Sequence, residues 1–309
     1  YAASNMSDLT LKDGDYVVGL YSMNTMDTLL IFTNLGNYLY IPVHEIPDLK
    51  WKDLGKHMSN VISVSPDEVV VNAMPVYDFE QNLYITSFTK NGMVKRTRIC
   101  DFVVSRYTKL YTSMKLKDDD VITNIETSKE NTLIVTKTGY YISYKTEEIP
   151  ASSAKASGVK GINLKDDEVV SGLTYNETDE YLNIFTNQKT AKRIRLTDLT
   201  QLTRAKRGSM VIKKVKTTNY EIVTSLITEV KDMIGLTMLE DIGVLKNTDI
   251  PIMDLASTGS SIAKKKYLSA FKFTEIVTVG DPEPKAKPKK KETVTNKQEE
   301  LKFVEEFKL

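Results

Sequence analysis

The stretch Leu29-Leu-Ile-Phe-Thr-Asn-Leu-Gly-Asn-Tyr-Leu-Tyr-Ile-Pro-Val-His-Glu-Ile-Pro47 decides the fold, because most of the chain consists of degraded copies of it. Two apolar, β-branched and aromatic runs flank Thr33-Asn34-Leu35-Gly36. Asn and Gly tolerate the positive φ of a tight strand-to-strand turn, so the stretch reads as a β-hairpin that leads into an acid and an apolar residue, Glu45-Ile46.

The outline returns at 87–98 and 134–144, and more weakly at 184–195 and 235–246. With Thr33, Thr89, Thr136, Thr186 and Thr237 as the register, the period is roughly fifty residues, the length of a propeller-type repeat. Thirteen residues after each threonine stand Ile46, Phe102, Ile149, Leu199 and Ile250, each preceded by an acid: Glu45, Asp101, Glu148, Asp198 and Asp249. One carboxylate per repeat at a fixed offset is what a folding constraint produces; these five are read as caps or pairing partners of a short helical turn, with 47–54 and 199–207 as candidate turns. A second landmark, an acidic or polar turn opening a β-branched strand, places handover strands at Val17, Val69, Val121, Val169, Ile222 and Ile276. The expected fold is all-β: a propeller-like β-pinwheel over 1–280, with five complete blades and the end of a truncated first blade at 1–14. Residues 281–309 begin with a Pro- and Lys-rich run that has no large apolar residue, so a disordered tail is expected there.

The formal charge is +1, and the bases are segregated along the chain. Residues 187–216 hold ten Lys or Arg against the single acid Asp198, and 90–117 hold eight against Asp101. Lys95-Arg96-Thr97-Arg98 and Lys192-Arg193-Ile194-Arg195 fall at one repeat position, and alternate strand residues share a face, so Arg96 with Arg98 and Arg193 with Arg195 are expected to point together. Further bases follow in the connecting segments: Arg106 and Lys109; Lys155 and Lys160; Arg204, Lys206 and Arg207; Lys264, Lys265 and Lys266. Cations recurring at equivalent places on a curved array fit a phosphate backbone, and aromatic interleaving is too sparse for a single-strand platform. Catalytic signatures are missing: there is no phosphate loop, no His-Glu-x-x-His and no Gly-x-Ser-x-Gly. His44 and His57 are read as structural or solvent-facing, and the lone Cys100 as a buried small apolar residue in a reducing compartment.

The Phe-Thr-Asn-x-Gly hairpins, the Gly92-Met-Val-Lys-Arg96 strand and the period closed by Asp/Glu-Val-Val resemble the C-terminal domain of bacterial type IIA topoisomerase A-type subunits. The resemblance spans about 1–279. It implies a β-pinwheel that binds and bends duplex DNA on a basic rim, in a cytoplasmic, nucleoid-associated enzyme. It also implies that the catalytic tyrosine lies on another domain, that ATP and Mg are used outside this chain, and that the partners are an ATPase subunit in a heterotetramer and the N-terminal part of the same subunit. Gyrase members carry a Gln-Arg-Arg-Gly-Gly-Lys-Gly box in the first blade, where this sequence has Ala2-Ala-Ser-Asn-Met-Ser-Asp8. That departure favours the topoisomerase IV branch and decatenation over supercoiling; a gyrase-type domain and a protein-interaction propeller are the alternatives.

Overall fold

The computed structural model describes residues 17, 19–49, 53, 55, 64–117, 119–239, 241–273 and 277–278. In chain order, β1 (Tyr21–Ser22) precedes the hairpin β2 (Thr28–Thr33) and β3 (Asn37–Pro42), then β4 (Val70–Val76). The second repeat gives β5 (Tyr84–Thr89), β6 (Met93–Arg98), β7 (Tyr111–Thr112) and β8 (Ile122–Thr127). The third gives β9 (Asn131–Thr136), β10 (Tyr140–Lys145), β11 (Val159–Lys160) and β12 (Val169–Tyr175), and the fourth β13 (Tyr181–Thr186), β14 (Thr190–Arg195), β15 (Ser209–Met210) and β16 (Ile222–Thr228). The fifth comprises β17 (Met233–Thr237), β18 (Ile242–Lys246), β19 (Ser260–Ser261) and β20 (Ser269–Lys272), followed by β21 (Val277–Thr278). No α-helix occurs among the described residues.

The hairpins form where the turn chemistry requires them. Thr89 and Thr136 accept, on Oγ1, the N–H of Met93 (3.1 Å) and Tyr140 (3.0 Å) across the turn. The residue before that N–H is Gly92 or Gly139, with φ of 79° and 93°; in the fourth repeat Lys189 takes the same place at 62°. A polar side chain then ties each hairpin turn to the turn that opens the handover strand: Asn34 Oδ1 accepts from Val69 N–H (2.7 Å) and Asn187 Oδ1 from Glu221 N–H (3.0 Å).

Each hairpin acquires a handover strand on one side, and those of the first four repeats also take a strand from the following repeat on the other. The sheets run β4–β2–β3–β7, β8–β5–β6–β11, β12–β9–β10–β15 and β16–β13–β14–β19, while the fifth is β20–β17–β18. The second hairpin strand of blades 1–4 is therefore paired to a segment that belongs, in sequence, to the next repeat. Sheet faces pack on their neighbours: Phe32 and Tyr38 of blade 1 meet Phe102 and Ile85 of the second repeat, and Phe185 of blade 4 meets Ile234 and Ile250 of the fifth. Both faces of a strand are thus covered, and every residue of β9 is buried. The simple in–out alternation expected of half-exposed strands gives way to buried Thr, Ser and Asn that satisfy one another, as in Thr132 with Thr146 (2.9 Å) and Asn183 with Asn247 (2.6 Å).

The handover strands β4, β8, β12 and β16 converge around a cavity of about 660 Å³. They are stitched by side chains at equivalent positions: Asn72 Nδ2 donates to Ile125 O (2.6 Å), Asn124 Nδ2 to Gly172 O (2.8 Å), and Ser225 N–H to Ser171 Oγ (2.9 Å). Tyr21 Oη donates to Ala73 O (2.9 Å), and β1 pairs in parallel with β21, so the two ends of the described chain meet. Val169 and Ile222 hold equivalent places, opening β12 and β16 opposite Thr136 and Thr186, but the expected Val69 and Val121 stand one residue before theirs, since the residues opposite Thr33 and Thr89 are Val70 and Ile122. Val17 lies in no strand, and Ile276, His57, the truncated-blade segment 1–14 and the tail 281–309 fall outside the described residues.

Three sequence readings are corrected. The helical turn contains the recurrent acid instead of following it, ending on it in four repeats and one residue later in the second: one-turn 3-10 helices occupy Val43–Glu45, Ile99–Phe102, Thr146–Glu148, Leu196–Asp198 and Asn247–Asp249, and 199–207 is irregular, as are 47–49 of the other candidate turn. The apolar residue after the acid is what needs placing, and Phe102, Ile149, Leu199 and Ile250 bury against the preceding blade; Ile46, with no preceding blade among the described residues, is 44% exposed. Cys100 is exposed, because Ile99 and Phe102 take the inward positions of its turn. Thr237 is one residue out of register. Asn247 N–H bonds Asp232 O (2.9 Å) as Leu196 N–H bonds Glu180 O (3.0 Å), so Ile250 keeps its place while Thr237 aligns with Phe185 and the last hairpin is one residue shorter.

The exchanged strands depend on glycine. Gly158, Gly208 and Gly259 immediately precede β11, β15 and β19 with φ of 75°, 86° and 84°, and a Cβ on Gly208 would stand 2.0 Å from Tyr141 O. We expect Gly208→Ala to lower stability by about 1–3 kcal/mol in chemical denaturation, since both the φ and the backbone contact oppose a side chain. Gly55→Ala, where a Cβ meets nothing within 4 Å, should be neutral. Equal midpoints for the two variants would contradict this account of the exchange.

Candidate nucleic-acid interface

The Lys-Arg pairs that recur in the second hairpin strands are built into the fold. Lys95 and Lys192 are each 1% exposed. Lys95 Nζ donates to the carbonyls of Ser113, Ser153 (3.1 Å) and Ala154 (2.7 Å). Lys192 Nζ donates to those of Asp254 (2.7 Å), Leu255 (3.0 Å) and Ser257 (3.0 Å). Most of these carbonyls belong to the segment arriving from the next repeat, and an ammonium with three donors matches three acceptors. Burial pushes Lys95 down to about 7, against the pull of Asp101, and Lys192 down to about 8, against Asp254. The carbonyl cage works in the opposite sense, since only an N–H can satisfy it.

Arg193 is likewise buried, its guanidinium 4.9 Å over the Tyr181 ring and its Nε donating to Ile250 O (2.6 Å). Arg96 is half-buried 4.6 Å over Tyr84. Of the bases in the two Lys-Arg runs only Arg98 and Arg195, at the strand ends, are exposed. Lys95, Lys192 and Arg193 therefore leave the set of candidate phosphate contacts. Their recurrence marks a clamp on the exchanged segment, and strand parity alone could not distinguish the two uses.

The remaining candidates gather on the exchanged segments, which form the outermost strand of each of blades 1–4. Successive segments are joined by backbone bonds, Lys115 N–H to Ala156 O (3.1 Å), Asn163 N–H to Lys206 O (2.9 Å) and Lys213 N–H to Ser257 O (3.3 Å), giving a continuous outer belt. Arg106 and Lys109 precede β7, Lys155 and Lys160 flank and end β11, Lys206 precedes β15, and Lys264, Lys265 and Lys266 follow β19; all are exposed. Arg204 and Arg207 are half-buried. Arg204 buckles two segments together, donating to Glu148 O (3.0 Å) and Lys160 O (2.6 Å). Arg207 lies 4.0 Å over the Tyr140 ring, which Lys214 also approaches at 5.4 Å.

Exposed bases that the hairpin register did not single out also sit on the belt: Lys115 and Lys117 after β7, and Lys213, Lys214 and Lys216 after β15. Their signal was the charge run itself, read without regard to hairpins. By contrast Lys90 and Lys137 are held by Glu168 (2.9 and 3.0 Å), Lys129 by Asp179 (3.0 Å) and Lys145 by Glu177 (2.9 Å). Among the described residues the belt lysines have no ion-pair partner, and no group of three His, Cys, Asp or Glu is placed to hold a metal ion. No described helix is long and apolar enough to cross a membrane. The belt presents cations at intervals along one edge, the arrangement that a chain of phosphates requires.

Residues 27–76, 84–129, 130–175 and 180–228 match a family model described as DNA gyrase C-terminal domain, beta-propeller; the four matches correspond to the hairpin and handover strand of blades 1–4. The A subunit of DNA topoisomerase 4 from Bacillus subtilis (strain 168) is 39% identical over 226 residues, 72% of this chain and 28% of that protein. The Staphylococcus epidermidis protein of the same name is 37% identical over 230 residues, 74% of this chain and 29% of the relative. The chain thus spans under a third of the length of these relatives. A crystal structure of the C-terminal domain of DNA topoisomerase IV is similar with a TM-score of 0.83 and 38% identity, covering 88% of this chain and 87% of that one. A DNA gyrase A C-terminal domain, at 21% identity and a TM-score of 0.66 over 82% of this chain and 85% of that one, shares the fold.

The clamp and the belt are separable by mutation. Lys192→Met should cost on the order of 3 kcal/mol by leaving buried carbonyls unpaired, whereas Arg195→Gln should change stability by less than about 0.5 kcal/mol. Denaturant midpoints of the two variants give the answer; an undiminished midpoint in Lys192→Met would refute the clamp.

Proposed function

Since the chain belongs to the DNA gyrase C-terminal domain, beta-propeller family, we propose that its outer belt binds duplex DNA by the phosphate backbone and bends it, in the manner of the C-terminal domain of a topoisomerase IV A-type subunit. The observation that carries this reading is the backbone-bonded belt: unpaired lysines follow one another from β7 to β19 on a curved edge, beside an axis and blade interfaces whose bases are neutralised or buried. Contacts of this kind position DNA without specifying sequence. The belt is anchored by strand pairing at each of blades 1–4.

In this reading the domain is the non-catalytic part of a larger A-type subunit. It captures duplex segments for decatenation and relaxation during chromosome segregation, in the nucleoid, while the cleavage tyrosine, ATP and Mg belong to other domains and to an ATPase subunit. The absence of the Gln-Arg-Arg-Gly-Gly-Lys-Gly box from residues 2–8 favours this branch over handed wrapping by a gyrase.

Replacing Lys155, Lys160, Lys206 and Lys213 together by Gln should weaken duplex binding alike for unrelated sequences. It should also flatten the plot of log affinity against log salt by about 0.9 for each phosphate that is no longer neutralised. Mobility-shift titrations at several salt concentrations measure both, and an unchanged slope would reject the belt as the binding surface. The intact enzyme should relax and unlink DNA; net negative supercoiling in a topology assay would favour the gyrase reading.

A further inference from the structure

The three described seams of the outer belt share a backbone plan but not their side chains. Lys115, Asn163 and Lys213 each donate a backbone N–H to the next segment, at Ala156 O, Lys206 O and Ser257 O. A second bond docks that segment on its hairpin: Ser152 N–H to Arg96 O (2.9 Å), Leu202 N–H to Ser143 O (2.7 Å) and Met253 N–H to Arg193 O (2.9 Å). These bonds make Ser152 equivalent to Leu202 and Met253, and Lys155 to Ala205 and Ala256. Repeats 4 and 5 thus fill the docking position with a large apolar side chain, and Leu202 packs on the core around Ile142 and Ile149. Ser105, at the same offset in the second repeat, is exposed. Of the three seams only the first combines a serine at the docking position with lysines at both other places.

Where the larger side chain is missing, a pocket of about 270 Å³ opens between the outer segments of blades 1 and 2. Lys115, Ser152, Lys155 and Ser157 supply its polar side chains, and among the described residues no acid lines it. The Ser152 hydroxyl is buried and has no hydrogen-bond partner, a costly state for a polar group. Carbonyls that would repel an anion are engaged elsewhere. Ser153 O and Ala154 O accept from the caged Lys95 ammonium, and Ala156 O accepts from Lys115 N–H. Glu148, two residues before Pro150, is held by Arg204 N–H (2.8 Å).

We propose that this pocket is a seat for one phosphate group. The Lys115 and Lys155 ammoniums neutralise it from the two segments, and Ser157 and Ser152, the latter after rotation about its Cα–Cβ bond, donate hydrogen bonds to its oxygens. The pocket is smaller than the roughly 300 Å³ at which sites for drug-sized molecules begin, and holds several times the roughly 30 Å³ share of one water. The inference rests on the reading of the belt as a phosphate-binding edge, and adds that at one seam a phosphate enters the protein instead of lying on its surface. A phosphate of DNA and free inorganic phosphate share this chemistry.

Ser152→Leu puts the residue of repeat 4 into the pocket and leaves every belt charge in place, while Lys155→Gln removes one exposed ammonium. The 309-residue parent and both variants are titrated with inorganic phosphate at constant ionic strength, read from the amide resonances of Ser157 and Gly158, and with a short DNA duplex at several salt concentrations. The parent resonances should shift saturably. Each variant should bind phosphate roughly tenfold more weakly, the loss of about one charge-assisted hydrogen bond, at an unchanged denaturation midpoint. If Ser152→Leu lowers the midpoint, Lys155→Gln decides. A salt slope of duplex binding lower by about 0.9 in Ser152→Leu assigns the seat to a DNA phosphate, and an unchanged slope with weakened phosphate binding assigns it to the free anion. Equal phosphate titrations of the parent and a folded variant overturn the proposal, as does a parent without saturable shifts; if that parent still binds duplex, the belt stands without the seat. Saturable phosphate binding by a chain that does not bind duplex keeps the seat and rejects the belt.

Discussion

The pairing of each hairpin's second strand with a segment of the following repeat is the constraint on which the rest of this structure depends. It joins residues about seventy apart, so it costs loop-closure entropy that grows slowly with length and is offset by the contacts made on arrival. Those contacts are of one kind in blades 1–4: the apolar residue after the acid of the next repeat buries against the hairpin, and the chain then crosses to the outer edge and adds two residues of strand. A blade is consequently complete only when its successor has folded beside it. The inner strands, stitched by Asn72 and Asn124, close the same neighbours from the axis side.

Two ways of securing the arriving segment alternate around the ring. Blades 2 and 4 use Lys95 and Lys192, whose ammoniums satisfy loop carbonyls that have no strand partner. Blades 1 and 3 place Leu39 and Ile142 at the same strand position, both fully buried. A buried ammonium is tolerated here because its acceptors are fixed by the exchange, and a lysine buried without such acceptors would be driven neutral or outward. The adjacent arginines extend the same economy of space, stacking on Tyr84 and Tyr181 of their own hairpins.

The exchange also explains how a chain of nearly balanced charge presents a basic edge. Bases used inside the blades are consumed by carbonyls and rings, and those on the flanks are paired with Glu168, Asp179 and Glu177. The outermost segments carry few acids that reach their lysines, so the residual positive charge lies along the belt. Cations at intervals along such an edge match a chain of phosphates, and contacts of that kind carry no sequence information.

The sequence by itself determined the repeat, the hairpins and their turns, because these rest on local chemistry: Thr, Asn and Gly at positions where the backbone must turn, and β-branched runs between them. It also placed four of the inner strands to within one residue and determined the segregation of bases. What it could not decide was where a residue stands relative to the next blade. Lys95 and Arg98 belong to one strand and one basic run, yet one is caged and the other exposed, and Cys100 faces solvent although its neighbours Ile99 and Phe102 do not. The one-residue shortening of the last hairpin was hidden because Ile250 kept its spacing from Thr237. The caging of Lys95 is set by the strand exchange, a contact between residues far apart in the chain, and periodicity within a repeat carries no information about contacts between repeats. Tertiary structure alone therefore decided which cations hold the fold and which remain exposed on its outer belt.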